Sequence, residues 1–196
     1  MTTTPTTGPR RGRPPAASRE DVLAAALHRY LRGERVDVRA IAAELGLGRT
    51  TIYRWFGSRE GLLGEVIFLA AEPLIDAARA GARGRGGAAL LDTFDRLNRM
   101  FVGAEALRRY VEQEREAALR ILTSSEGIVH PRLVTRITGL IEDEARAGTY
   151  VPPVEPATLG YAIVRLAEAF IYSDVGMRGD VDRLREVEAA ILGVKA

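Results

Sequence analysis

At 196 residues, 46% of them hydrophobic, the chain can bury a sizeable core, and its length fits one large domain or a small one joined to a larger one. It has no cysteine, which excludes a disulfide framework, a thiolate metal site and a cysteine nucleophile. The net charge of +2 conceals an asymmetry: residues 1–59 carry 11 Arg against 5 acidic residues, whereas residues 60–196 carry 17 basic against 21 acidic ones, so positive charge gathers at the N-terminal end.

Residues 1–17 are rich in Thr, Pro, Gly and Arg, cannot bury enough surface to order themselves, and are expected to be disordered in isolation. The opening lacks the apolar stretch of a signal peptide and no later run is long enough to span a bilayer, so the expectation is a soluble cytoplasmic protein. Arg11-Gly12-Arg13-Pro14, preceded by Arg10, is flat and narrow when extended and can lie in a DNA minor groove with its guanidinium groups inserted. Alone it reads equally as a solubilising tail; the motif that follows favours the groove.

Ser18 suits an N-cap with Asp21 at the third helical position, opening a first helix over about 19–32 with Val22, Ala25, Ala26 and Tyr30 inward. The next stretch, VRAIAAELGLGRTTIYRW over 38–55, has the spacing of a helix-turn-helix. Ala42 is small where two short helices cross, Gly46 tolerates the positive φ of the turn, and Ile41, Leu45, Leu47 and Ile52 converge on one small core. Arg49, Thr50, Thr51, Tyr53 and Arg54 are left outward, donors and a ring suited to phosphates and base edges. A basic αα-hairpin has the same spacing, and the concentration of charge around the motif is what favours DNA. Arg49 and Thr51 are expected to touch bases, and Tyr53 and Arg54 to hold phosphates. Arg59, at the start of a fourth helix capped by Ser58, is expected to clamp a phosphate as well.

From there on every segment has a 3.6-residue period, with helices over about 59–80, 88–102, two sharing 104–124, 130–147, 157–173 and 181–193, and no alternating strand pattern. The predicted fold is all-α. Pro73 is expected to kink the fourth helix. The helix over 157–173 is apolar nearly all round and needs partners on both faces, while the last one carries a single stripe. Together they predict half of a four-helix bundle completed by a second copy, with Val164, Arg165, Glu168, Leu184, Val187 and Ile191 at the interface. Arg165 and Glu168 can pair along one helix or meet partners across the two-fold axis. Burial in a monomer core is the competing reading.

Catalytic chemistry finds little support. His28 and His130 form no metal spacing, Glu142-Asp143-Glu144 diverge in direction on a helix, and the glycines of 81–87 match no phosphate loop. No enzyme activity, metal or cofactor is expected.

The run IAAELGLGRTTIYRWFGSREGLLGEVI, within a match over about 19–67, resembles the TetR family of one-component transcriptional regulators. It departs at Arg59, where the family commonly has Lys. The resemblance implies a basic arm over 1–17, a helix-turn-helix DNA-binding domain over 18–58, and a ligand-binding and dimerisation domain over 59–196. It further implies a homodimeric repressor on a palindromic operator, released by a small hydrophobic effector. The pocket would lie among the fourth, fifth, seventh and eighth helices, with Phe94, Phe101 and Phe170 as walls and Asn98, Tyr161 and Tyr172 as hydrogen-bonding groups; residue by residue, simple filling of the core is the stronger reading of these side chains, and the pocket rests on the resemblance. The AEAFIYSD segment resembles QsdR-type regulators, which are linked to lactone signals. An architectural DNA-binding protein without effector control is the alternative.

Overall fold

The structure, a computed structural model, describes residues 17–172 and 180–195. Among these residues there are ten helices and no strands: α1 (Arg19–Leu31), α2 (Val38–Glu44), α3 (Arg49–Phe56), α4 (Arg59–Gly81), α5 (Gly87–Gly103), α6 (Glu105–Gln113), α7 (Arg115–Thr123), α8 (Val129–Arg146), α9 (Pro156–Ile171) and α10 (Val181–Leu192). The all-α reading therefore holds, and the ends fall within a residue or two of those the periodicity gives.

The punctuation is chemical. Ser18 and Asp21 form a capping box at α1, with each side chain bonded to the other residue's backbone N–H. Asp37 caps α2 through the N–H groups of Arg39 and Ala40, and Ser58 caps α4 through that of Gly61. Pro156 occupies the first turn of α9, where its missing donor costs nothing. Pro73 lies inside α4, which continues through it to Gly81. The lost bond frees the carbonyl of Leu69, and Leu69 is on an exposed side of the helix.

Two apolar clusters hold the helices together. The first joins α1, α2 and α3 to the first half of α4 and to α6 and α7, around Val22, Ile41, Ile52, Leu62, Leu107 and Leu122. The second joins the far half of α4 to α5, α8, α9 and α10, around Ile75, Phe94, Ile141, Leu159 and Leu192. The core of the N-terminal helices thus continues past residue 58 into the rest of the chain, and α4 belongs to both clusters. Where α9 packs on α8, a Cβ on Gly160 would stand 2.3 Å from Thr138 Oγ1 and 3.0 Å from the Thr138 backbone nitrogen, so any side chain there would force the two helices apart.

Candidate nucleic-acid interface and effector cavity

The helix-turn-helix has the local geometry its spacing predicts. Ala42 is 3% exposed at the crossing of α2 with its neighbours. Gly46 has φ +65° with nothing near its missing Cβ, so the backbone angle itself, and not crowding, selects glycine. The N–H of Leu47 then donates to the Ala42 carbonyl at 2.8 Å and closes the turn. Ile41 and Ile52 are fully buried, and Leu45 and Leu47 pack half-buried against them.

This core fixes which side of α3 faces out. Arg49, Thr50, Tyr53 and Arg54 are exposed, and Thr51 is half-buried beside them. Gly48 gives α3 no side-chain cap, so N–H groups of its first turn remain open to an anion. Most other arginines of this region are neutralised within the chain: Arg19 by Glu65, Arg29 by Glu44, Arg32 by Glu34. Arg49 and Arg54 have no ion pair among the described residues, and neither does exposed Arg39 on α2. Uncompensated positive charge is therefore gathered on α2 and α3. Arg39 is not among the residues expected to contact DNA; the sequence signal for its exposure is its place in the first turn of α2. Arg10, Arg11 and Arg13 lie outside the described residues.

Arg59 departs from its expected role. Its guanidinium grips Glu114 in a bidentate pair at 2.7 and 2.6 Å, and its Nε donates to the Val36 carbonyl at 3.0 Å. Glu114 is the junction between α6 and α7, and the Arg59 guanidinium holds its carboxyl below the usual carboxylate range. In this structure the side chain ties the start of α4 to the α1–α2 loop and to α6–α7, and is not offered to a phosphate.

A cavity of about 310 Å³ opens between α1, α4, α6, α7 and α8, with Tyr30, Leu31, Ala70, Leu74, Ala106 and Leu122 in its wall. A smaller void of about 40 Å³ lies beyond it between α5, α8, α9 and α10. Phe101, Leu133 and Tyr172 line both. Of the six expected pocket residues, Phe94, Asn98, Phe101 and Tyr172 line one space or both, while Tyr161 and Phe170 line neither. Tyr161 is 47% exposed and its Oη accepts from Arg165 Nε at 3.1 Å. Phe170 is one residue short of cavity-lining Ile171, about 100° round the helix.

Asn98, Glu168 and Glu188 bring polar groups to the wall of the small void. Asn98 Nδ2 donates to Glu188 Oε1 at 3.0 Å, and burial pushes the Glu188 carboxyl up to about 7. His130, 2% exposed, meets Glu168 Oε1 through Nδ1 at 2.6 Å, and Arg165 donates to Glu168 Oε2 at 2.9 Å and to the Thr123 carbonyl at 2.8 Å. Glu188 was not among the expected residues, although a carboxylate between Leu184 and Ile191 in an apolar stripe marks a charge facing the core.

The expected interface residues divide. Val164, Glu168 and Leu184 are buried inside the single chain, because α8 and α10 already cover that side of α9. Arg165 and Glu168 pair along their own helix, the first of the two arrangements weighed. Val187 and Ile191 are only half-buried, and Tyr161, Ala169 and Ala190 are exposed. Among the described residues no group of His, Asp and Glu could hold a metal ion, and no helix is long and apolar enough to cross a membrane.

Residues 33–66 match the model of bacterial regulatory proteins of the tetR family, and residues 85–193 match the tetracyclin repressor-like C-terminal domain. The fold is similar to that of the transcriptional repressor QsdR of the TetR family from R. erythropolis, with a TM-score of 0.85 and 28% identity over 91% of this chain and 95% of that one. It is also similar to the TetR family repressor AlkX from Dietzia sp. strain DQ12-45-1b, implicated in biodegradation of n-alkanes, with a TM-score of 0.59 and 21% identity over 94% and 96% of the two chains. No curated protein matches the chain. A helix-turn-helix with an uncompensated basic face, carried on a helical body that matches over more than half of the sequence, leads to one conclusion: the chain belongs to the TetR family of DNA-binding transcriptional regulators.

Proposed function

We propose that this protein is a dimeric repressor that binds a palindromic operator and is released by a small hydrophobic effector. The observation that carries the reading is the position of the larger cavity. Its wall includes Tyr30 and Leu31 of α1, which belongs to the DNA-reading head, and Ala104–Leu107 at the start of α6 in the body. An apolar molecule seated there touches both parts at once, and 310 Å³ is within the range of small-molecule sites. A head that merely decorated DNA would have no use for such a cavity at its base.

In this reading Arg49 and Thr51 reach base edges, Tyr53, Arg54 and Arg39 hold phosphates, and the Arg10–Arg13 arm lies in an adjacent minor groove. The second copy docks on the outer side of α9 and α10, over Tyr161, Arg165, Val187 and Ile191, setting two reading helices about one turn of DNA apart.

The test is selection of binding sites from random duplex DNA, followed by titration of apolar compounds against the selected operator. A palindromic consensus, with two chains per site and affinity that falls as a compound is added, is the expected result. A single non-repeated half-site, or an affinity indifferent to every compound that raises the melting temperature, would overturn it.

A further inference from the structure

Among the described residues only three buried side-chain polar atoms lack a hydrogen-bond partner: Tyr110 Oη, Arg136 Nε and Glu188 Oε2. Tyr110 lines only a space of about 10 Å³ beside Arg59 and Glu114, whereas Glu188 lines the 40 Å³ void. Its residue is 0% exposed, Oε1 is occupied by Asn98, and Oε2 has nothing. An orphaned buried carboxyl oxygen is costly to keep, and proteins retain such groups where a ligand or water completes them.

The void that Glu188 lines is almost wholly apolar apart from Asn98, Glu168, Tyr172 and Glu188 itself, and it shares Phe101, Leu133 and Tyr172 with the 310 Å³ cavity. The two spaces adjoin across those three side chains, the larger one mostly apolar and the smaller one holding the carboxyl groups. Glu168 is already satisfied by His130 and Arg165. With Glu168 paired to Arg165, the free acceptor is the Glu188 oxygen, which repels an anionic head when ionised.

We propose that Glu188 is the polar anchor of the effector site and selects an uncharged, apolar molecule whose head donates a hydrogen bond, a hydroxyl or an amide N–H. This rests on the effector reading above and specifies its chemistry. Alkyl carboxylates are excluded by charge, and esters and ketones by the lack of a donor.

The surroundings make the anchor pH-sensitive. Asp95 of α5 favours its protonated form, whereas Arg185 of α10 and the Asn98 hydrogen bond favour the ionised one; Glu168 and Tyr172 face it from the α9 side. Above neutrality the ionised carboxyl only accepts. Below it the protonated carboxyl also donates, and an ester carbonyl becomes an acceptable head.

The experiment is calorimetric titration of the full-length protein with three probes of similar apolar length: octanol, methyl heptanoate and sodium octanoate. At about pH 8.5 octanol should bind at least about tenfold more tightly than either of the others, the cost of leaving the carboxylate unpaired. At about pH 5.5 the ester should close most of that gap. Glu188→Gln, which keeps the partner for Asn98 and adds a donor, should bind octanol and the ester alike at both values; the wild-type pH comparison stands even if this variant does not fold. Equal binding of all three probes by the wild type, at both pH values, would overturn the anchor, with Glu188 satisfied by a buried water only, and would leave the effector reading standing. Failure of every probe to bind would overturn both.

Discussion

The pair between Arg59 and Glu114 offers the sharpest test of how the reading head is attached. Both side chains are about one-fifth exposed, at 22% and 21%, and the contact is bidentate. Exposed pairs contribute about 0–1 kcal/mol, and breaking a fully buried one costs about 3–5 kcal/mol. This pair lies between, so Glu114→Ala should cost about 2 kcal/mol, since it strands a half-buried guanidinium. For a domain of this size that lowers Tm by about 4–8 °C. Arg59→Ala should cost somewhat more, because it also loses the bond to the Val36 carbonyl, and the double variant should cost less than the sum of the two, because they share the Arg59–Glu114 pair. The Glu114 carboxyl is held below the usual carboxylate range by Arg59, so its folded pKa lies under its unfolded one. Its stabilisation is therefore present above the unfolded value and lost as pH falls through the folded value, and the Tm difference between wild type and Glu114→Ala should shrink in acid.

Operator binding separates this role from a phosphate clamp. A phosphate contact adds about 0.9 to the slope of log affinity against log salt, so two Arg59 clamps in a dimer would add nearly two. With Arg59 committed to Glu114, Arg59→Ala should leave that slope unchanged. The reasoning is refuted if the slope drops by that amount while Glu114→Ala leaves Tm unmoved.

Arg49→Ala should weaken operator binding by about 1–3 kcal/mol and relax preference at one base position, which a competition assay across operator variants measures. Deleting residues 1–14 should flatten the salt dependence of binding, and an unchanged slope in a salt titration would make the arm a tail alone. Ile191→Asp, and Ala190→Glu on the exposed side of α10, should both yield monomers that no longer hold the operator. The second variant separates assembly from folding, and sedimentation of the unmutated protein as a monomer would end the idea.

What could be read from the residues was whatever short-range sterics decide. The interval from Ala42 through Gly46 to Ile52 fixes a crossing, a turn and a core within one stretch, and the structure reproduces all three. The caps at Ser18 and Ser58 are equally local. The Arg59–Glu114 pair is not legible in the sequence, because the two residues stand 55 apart and no spacing rule connects them. The apolar surplus of α9, which calls for partners on both faces, is visible in the sequence, but the close approach to α8 at Gly160 and Thr138, which covers one of those faces, is not. Periodicity places the expected pocket residues on helices, whereas the phase of each side chain depends on helix rotation, which sets Phe94 and Asn98 on the small void and Tyr161 and Phe170 away from both spaces.

The same long-range contacts bear on control. An effector shifts DNA affinity only through its differential affinity for two arrangements of the head. The cavity wall supplies a physical route for that difference, because α6 lines the cavity near Ala104–Leu107 and, one residue beyond its end, presents Glu114 to Arg59. The ring of Tyr30, in the same wall, meets Tyr110 of α6 edge-on at 6.3 Å, a second contact between head and body. Under the proposed effector control, an occupant that displaces α6 should strain the Tyr30–Tyr110 and Arg59–Glu114 contacts together and shift the reading head with them. By linkage, such an occupant binds the DNA-free protein more tightly than the operator complex by the same factor by which it weakens operator binding. Glu114→Ala, which cuts one of the two contacts, should bring that factor closer to one while leaving binding of the occupant itself unchanged. Equal coupling in the variant and the wild type, measured by titrating one compound with and without operator, would place the route elsewhere in the fold.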